Sequence, residues 1–333
     1  MRTYLTLLLV LLSVLAVYSQ TDDDQADDIK KINFPSSFGS SLILKSKTVE
    51  ILASSSLFST VQYYKYTGLA GGGVLSNRIT SSTSSFFMNF GISARSIVDL
   101  GLGFDYGIAR NDADATVSPF KVYSSDRLNT RGVTYVRARA RISPFSAAPE
   151  LVLSLNGGLA IPKDTIAQKL GAEKDIVGLG LSYFGRFNSN HSYFLQGKLG
   201  YSPAHTRIFD TSNPELKTEI PFQNTVSASA FYIYNITRGA FYAIPGISYQ
   251  GLFQKSVHSS RIYSRSTALL AILVLQFQFS RNFAISAQYA YPILLDSHYP
   301  QVELDSRSSY SGAISILYRI DTSKKLIIDQ IRQ

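Results

Sequence analysis

Between Val98 and Ile108 every second residue is apolar. Val98, Leu100, Leu102, Phe104, Tyr106 and Ile108 fall on one set of positions, and Asp99, Gly101, Gly103, Asp105 and Gly107 on the other. A period of two belongs to a β-strand with one apolar and one polar face. The same split recurs at 151–158, with Leu151, Leu153 and Leu155 against Val152, Ser154 and Asn156. It recurs at 192–201, with Tyr193, Leu195, Leu199 and Tyr201 against Ser192, Gln196 and Lys198, and at 283–291, with Phe283, Ile285, Tyr289 and Tyr291 against Ser286 and Gln288. Bounded by turn residues, the alternation predicts strands near 49–66, 82–92, 95–109, 132–143, 149–160, 174–187, 191–203, 223–235, 239–253, 265–279, 282–293 and 308–320. Many are long for a globular protein but suit the roughly 9–11 tilted residues with which a strand crosses a bilayer.

The connections alternate too. Short ones ("ISARS", "SPFSAAP", "NSN", "NITR", "SRN") take turns with long polar ones at 67–81, 110–131, 161–173, 204–222, 254–264 and 294–307. In an up-and-down meander every second connection lies on one rim, so one rim carries tight turns and the other long loops. The expected fold is therefore all-β, a closed antiparallel up-and-down transmembrane barrel of about twelve strands. The apolar set, including Leu100, Leu102, Leu153, Leu195 and Ile285, faces lipid, with aromatics near the ends of each strand.

The segment "TYVRARARI" (134–142) places Arg137, Arg139 and Arg141 on one strand face and Val136, Ala138, Ala140 and Ile142 on the other. An arginine at the lipid midplane costs about 2–4 kcal/mol, so the three guanidiniums are expected inside the barrel. The lumen-lining candidates are Arg137, Arg139, Arg141, Asp99, Asp105, Glu150, Gln196 and Lys198. Two roles stand side by side. Asp99, Asp105 and Glu150 neutralise the arginines in a wall-stiffening ladder, or at least one arginine stays unpaired and binds carboxylate or phosphate groups of a passing solute. Inward glycines at 101, 103, 107, 178, 180 and 200 leave room for a pore or for a packed segment.

The first residues, "MRTYLTLLLVLLSVLAVYSQ", combine Arg2, an apolar run and small residues near Ser19, the layout of a signal peptide over 1–19. A flexible periplasmic segment at 20–47, containing the acidic run "TDDDQADD", is expected to precede the barrel at 48–320, and a periplasmic tail at 321–333 to follow it. With 21 Tyr, 20 Phe, no Trp and no Cys, the composition suits an exported β-protein without disulfides or a lipidated cysteine.

Two stretches carry a likeness to a known family. "FFMNFGISARSIVDLGLGFDYG" (86–107) and "SLNGGLAIPKD" (154–164) resemble the strand pairs of transporter-like bacterial outer-membrane barrels grouped with the meta-pathway phenol degradation family. The resemblance implies an outer-membrane barrel that passes small molecules and brings no catalytic residues with it.

Catalytic material is sparse. "VHSS" sets Ser260 two residues after His258, a local order similar to that of the outer-membrane phospholipase, but without the flanking residues or an orienting asparagine. Asp210 near His205 and Asp296 near His298 are acid–histidine pairs only by adjacency in sequence. No metal spacing occurs and no cofactor is expected. The net charge of +9 points, in an exported barrel, to lipopolysaccharide phosphates or anionic solutes rather than nucleic acid. Arg110, Arg127, Arg131, Arg207, Lys255, Arg261 and Arg265 lie on or beside the long loops. The expected function is a channel or transporter for small, anionic or hydrophobic solutes. The alternative is a non-conducting barrel that anchors an envelope complex, with lipid hydrolysis a lesser reading. The sequence carries no signal of oligomeric state.

Overall fold

A computed structural model describes residues 43–44, 46–65, 74–92, 97–145, 147–161, 165–188, 190–208, 217–237, 240–255, 263–280, 282–298 and 303–321. The expected signal peptide, most of the 20–47 segment and the C-terminal tail past 321 lie outside these residues.

The chain closes into an antiparallel barrel of β1 (Thr48–Lys65), β2 (Val74–Gly91), β3 (Val98–Asp112), β4 (Thr130–Ile142), β5 (Leu151–Ala160), β6 (Ile176–Arg186), β7 (His191–Ser202), β10 (Gln223–Asn235), β11 (Phe241–Lys255), β12 (Tyr263–Ser280), β13 (Phe283–His298) and β14 (Glu303–Asp321). β1 pairs with β14 to complete the ring. A small hairpin, β8 (His205–Ile208) with β9 (Lys217–Ile220), stands in the β7–β10 connection. One α-helix, α1 (Thr165–Leu170), lies between β5 and β6, and a 3-10 helix (Pro119–Tyr123) between β3 and β4.

Closure satisfies every ladder without a free edge, which a lipid-exposed sheet requires. The outer face is apolar: Leu102 is 62% exposed, Leu179 61%, Leu199 59% and Ile314 60%, while Asp99 and Asp105 on the opposite face of β3 are buried. An apolar belt of this extent has no partner in water and suits hydrocarbon.

Several strands run further than the alternation indicated. β2 begins at Val74, inside the expected loop 67–81. β13 continues to His298 and β14 starts at Glu303, so most of the expected loop 294–307 is strand. The extension of β2 is rich in Ser and Thr on both faces, as in "SNRITS", while those of β13 and β14, "LLDSH" and "ELDSR", are short and mixed, and no apolar period marks any of them. Cross-strand hydroxyl pairs accompany the ladder instead, Ser59 with Thr80 at 3.2 Å and Ser309 donating to Thr60 at 2.8 Å. Two irregularities matter inside. The β3–β4 register shifts between Asp105 and Tyr106, and the β12–β13 register shifts at Leu269/Leu270, where Pro292 cannot donate to a regular ladder.

Candidate functional site

The short-turn end of the lumen is braced by ionic groups on β14, β1, β3 and β4 and by an amide on β2. Asp99 and Arg141 are direct partners across β3 and β4. Arg141 donates Nε to Oδ1 at 2.8 Å and Nη2 to Oδ2 at 2.6 Å, and the two side chains are 2% and 0% exposed. Asp99 Oδ2 also accepts the Leu44 backbone N–H at 3.0 Å, which draws the chain ahead of β1 against this end of the wall. Beside this pair, buried Glu50 on β1 receives Arg319 Nε at 2.9 Å and Asn89 Nδ2 at 3.1 Å. Such buried charges persist because each carboxylate is matched by a cation and by further donors.

The next rung is built differently. Asn89 Oδ1 accepts Arg139 Nη2 at 2.7 Å, and the Phe87 ring lies under the same guanidinium, 4.8 Å from ring centre to Cζ. Glycine makes this possible. A Cβ on Gly101 would fall 2.2 Å from Asn89 Oδ1, and one on Gly103 would fall 2.4 Å from both Phe87 Cδ2 and the Phe86 carbonyl oxygen. The bare backbone of β3 is thus a slot in which Asn89 and Phe87 lie flat and present themselves to Arg139. Among the described residues no carboxylate bonds Arg139, and its Nε is buried without a partner. Arg137, one rung higher, pairs through Nε and Nη2 with Asp105 and covers the Tyr135 ring at 5.2 Å.

Above this floor lies a chamber of about 830 Å³. Its charged lining residues are Arg137, Arg139, Lys198 and Asp105; the remainder is hydroxyl, amide, glycine and apolar surface. Lys198 on β7 is exposed to this space, its stem 3.6 Å from where a Cβ on Gly180 would stand. The charges that act on it are those of Arg139 and Arg137. The lumen is not polar all round, as alternation led one to expect. On β6–β13 the inward positions hold a buried apolar cluster of Phe184, Phe194, Ile233, Tyr242, Ile244, Ile272, Val274 and Ala290. Phe194 shares its strand face with Gln196 and Lys198, so one strand carries both characters.

At the long-loop end, α1 turns into the mouth. Leu170 sits over Gly107 and Gly132, close enough that a Cβ at those positions would meet it at 3.6 and 3.7 Å. The β3–β4 connection instead folds back over the outer face of β2 and β3. Arg78 donates to the Ala115 carbonyl at 2.6 and 2.9 Å, Ser82 bonds Tyr123 at 3.0 Å, and Val122 is fully buried. Arg110 there is bonded to Asp112 and Asp126 at 2.8 Å, and Arg131 donates to the Ser124 carbonyl. The Arg110 guanidinium and the Leu128 N–H hold the Asp126 carboxyl below the usual carboxylate range. Arg110, expected to grip anionic lipid, spends its donors on Asp112 at the end of β3 and Asp126 in the loop; Arg127 stays exposed.

Of the sequence candidates, Arg137, Arg139, Asp105 and Lys198 share the chamber, and Asp99 with Arg141 forms the floor beneath it. Gln196 points into the barrel but does not line the chamber. Glu150 does not join the ladder. It precedes β5 in the short turn, below the Arg141–Ser154 rung, and among the described residues no ion pair reaches it. Glu50, Asn89, Phe87 and Arg319 take that place. The His258–Ser260 pair and Asp210 lie outside the described residues, as does Arg261. His191 bonds Tyr232 on the outer face, and Asp296 pairs with Arg265. Among the described residues no group of His, Cys, Asp and Glu is arranged to hold a metal.

No family model matches the chain, and no curated protein matches it. Solved structures do. The COG4313 outer membrane channel from Pseudomonas putida F1 aligns with a TM-score of 0.56 at 12% identity, over 83% of this chain and 97% of that one. A Pseudomonas aeruginosa FadL homologue (TM-score 0.41, 11% identity, 83% and 90% coverage) and the Ralstonia pickettii toluene transporter TbuX (0.41, 10%, 91% and 96%) align too loosely to bear on details. The likeness to the phenol degradation family therefore rests on its two strand pairs alone, while the fold is that of a bacterial outer-membrane β-barrel.

Proposed function

We propose that the barrel is an outer-membrane channel for small solutes and favours anionic over cationic ones. The observation that carries this reading is the chamber of about 830 Å³ in which Arg137, Arg139 and Lys198 face a single acid, Asp105. A lumen with low-dielectric walls and one excess sign of charge concentrates ions of the opposite sign and repels its own. The inturned α1 and the apolar cluster toward the short turns favour a narrow, selective path over a wide water-filled one. The same features favour, as the second reading, a non-conducting barrel that serves as an envelope anchor. The reading assigns no catalysis to the chain.

Reconstitution into planar bilayers and into liposomes separates the two. A channel gives discrete conductance steps and swelling of liposomes in small anionic solutes. A folded, heat-modifiable barrel that gives neither is an anchor.

A further inference from the structure

The lumen wall between Arg139 on β4 and Lys198 on β7 is made by β5 and β6, and its inward positions are small: Ser154, Asn156 and Gly158, then Gly178 and Gly180. Two long cationic side chains therefore flank a shallow recess with a polar amide, Asn156, at its floor. Asp105 is committed to Arg137. Arg139 bonds the neutral Asn89 and covers the face of Phe87; the carboxylates whose charge reaches it, Asp99 and Glu50, are bonded to Arg141 and Arg319, and among the described residues no carboxylate pairs with Lys198. Lys198 feels the like charges of Arg139 and Arg137, and an incoming anion relieves that repulsion. Across the chamber stand Phe58, Leu252 and Leu270, with Phe87 beside Arg139.

We infer that this recess is a seat for the carboxylate of an amphipathic monoanion, held between Lys198 and Arg139 with its apolar body against Phe87, Phe58 and Leu270. The inference rests on the channel reading for its biological use but concerns binding in its own right. Lys198 is the exposed handle, with three donors free to rotate onto two carboxylate oxygens; Arg139 is the fixed second charge. The apolar wall distinguishes the ligand from a bare inorganic anion, and the charged pair distinguishes it from a neutral hydrocarbon.

The test uses the folded full-length barrel in nanodiscs and radiolabelled 3-phenylpropionate as probe, read as equilibrium binding. Unlabelled 3-phenylpropanol, acetate and inorganic phosphate compete as the neutral, tail-less and phosphate arms. The expected result is saturable binding that Lys198→Gln weakens about tenfold, or 1.4 kcal/mol, and that Lys198→Arg largely restores. All three competitors act at least tenfold more weakly than unlabelled 3-phenylpropionate. Arg139→Gln is scored only if its heat-modifiable gel shift shows a folded barrel; Lys198→Gln, at a side chain that forms no hydrogen bond or ion pair among the described residues, carries the test otherwise. No saturable binding, wild-type affinity in Lys198→Gln, or equal competition by the alcohol overturns the seat. Equal competition by acetate or phosphate overturns the amphipathic class. A barrel that conducts but does not bind loses the seat and keeps the channel; one that binds but passes no ions does the reverse.

Discussion

Asp99→Asn isolates one charge inside the barrel wall. The substitution keeps the side chain's shape and an acceptor for the Leu44 N–H, but leaves Arg141 buried beside a neutral amide. Two charge-assisted hydrogen bonds at 2.6 and 2.8 Å are weakened, each worth about 1.5–3 kcal/mol. Removing one partner of a buried pair costs about 3–5 kcal/mol, because the remaining charge keeps its desolvation penalty. We therefore expect Asp99→Asn to lower the unfolding free energy by about 3–5 kcal/mol, measured by urea titration in detergent micelles with the gel-mobility shift as a second readout. Replacing both residues, Asp99→Leu with Arg141→Met, should recover most of the loss, since no charge is then stranded. The exposed Arg265–Asp296 pair, 53% and 57% exposed, is the control; Asp296→Asn should cost at most about 1 kcal/mol. A loss below about 1 kcal/mol for Asp99→Asn, or a double variant no better than the single one, would refute the reasoning that this pair is a desolvated brace.

Gly103→Ala should destabilise the barrel by about 1–3 kcal/mol through overpacking against Phe87 and the Phe86 carbonyl. Gly197→Ala, where no atom stands within 4 Å of the new Cβ, should be neutral in the same titration. Asp126 has a depressed carboxyl, so its contribution to pinning the β3–β4 loop is present above the ordinary carboxylate pKa and lost as pH falls through the lower, folded one. Protease susceptibility or hydrogen exchange of residues 113–129 should rise below about pH 4, and Asp126→Asn should show part of that loosening already at neutral pH, the rest arriving on acidification as Asp114, whose carboxyl the Thr116 N–H and hydroxyl also depress, is protonated. Cysteines at Leu153 and Ser154 should label oppositely with lipid-soluble and water-soluble reagents; equal labelling would contradict the face assignment.

The barrel and its faces were legible in the sequence because lipid on one side and packed groups on the other force a strict period of two wherever a strand lies within the membrane. Beyond it that force lapses, and the Ser- and Thr-rich start of β2 read as a loop. The chamber and its floor were legible in part for the same reason: Asp99, Arg137, Arg139 and Arg141 are charges on two alternating strands and have nowhere else to point. Lys198 followed from its place opposite Leu195 and Leu199. Glu50 and Arg319 were missed because their strands meet only on barrel closure, at a sequence separation that no local pattern encodes. Their signal was an isolated charge on each alternating strand, Glu50 before "ILASSS" and Arg319 in "ILYRI". Asn89 and Phe87 were hidden by ordinary residue types; the glycine pair at 101 and 103 showed that something fills the slot, but not what. The apolar cluster on β6–β13 escaped because Phe194 or Ile233 facing inward breaks the rule that apolar means lipid.

The most direct test of a solute channel with a cationic chamber is the reversal potential of the purified barrel in a planar bilayer under a potassium chloride gradient. The wild type should reverse on the anion-selective side of zero, and Lys198→Glu should move it toward cation selectivity while the barrel stays folded. A folded barrel that carries no current, or one that is cation-selective with Lys198 and Arg139 intact, would contradict the account.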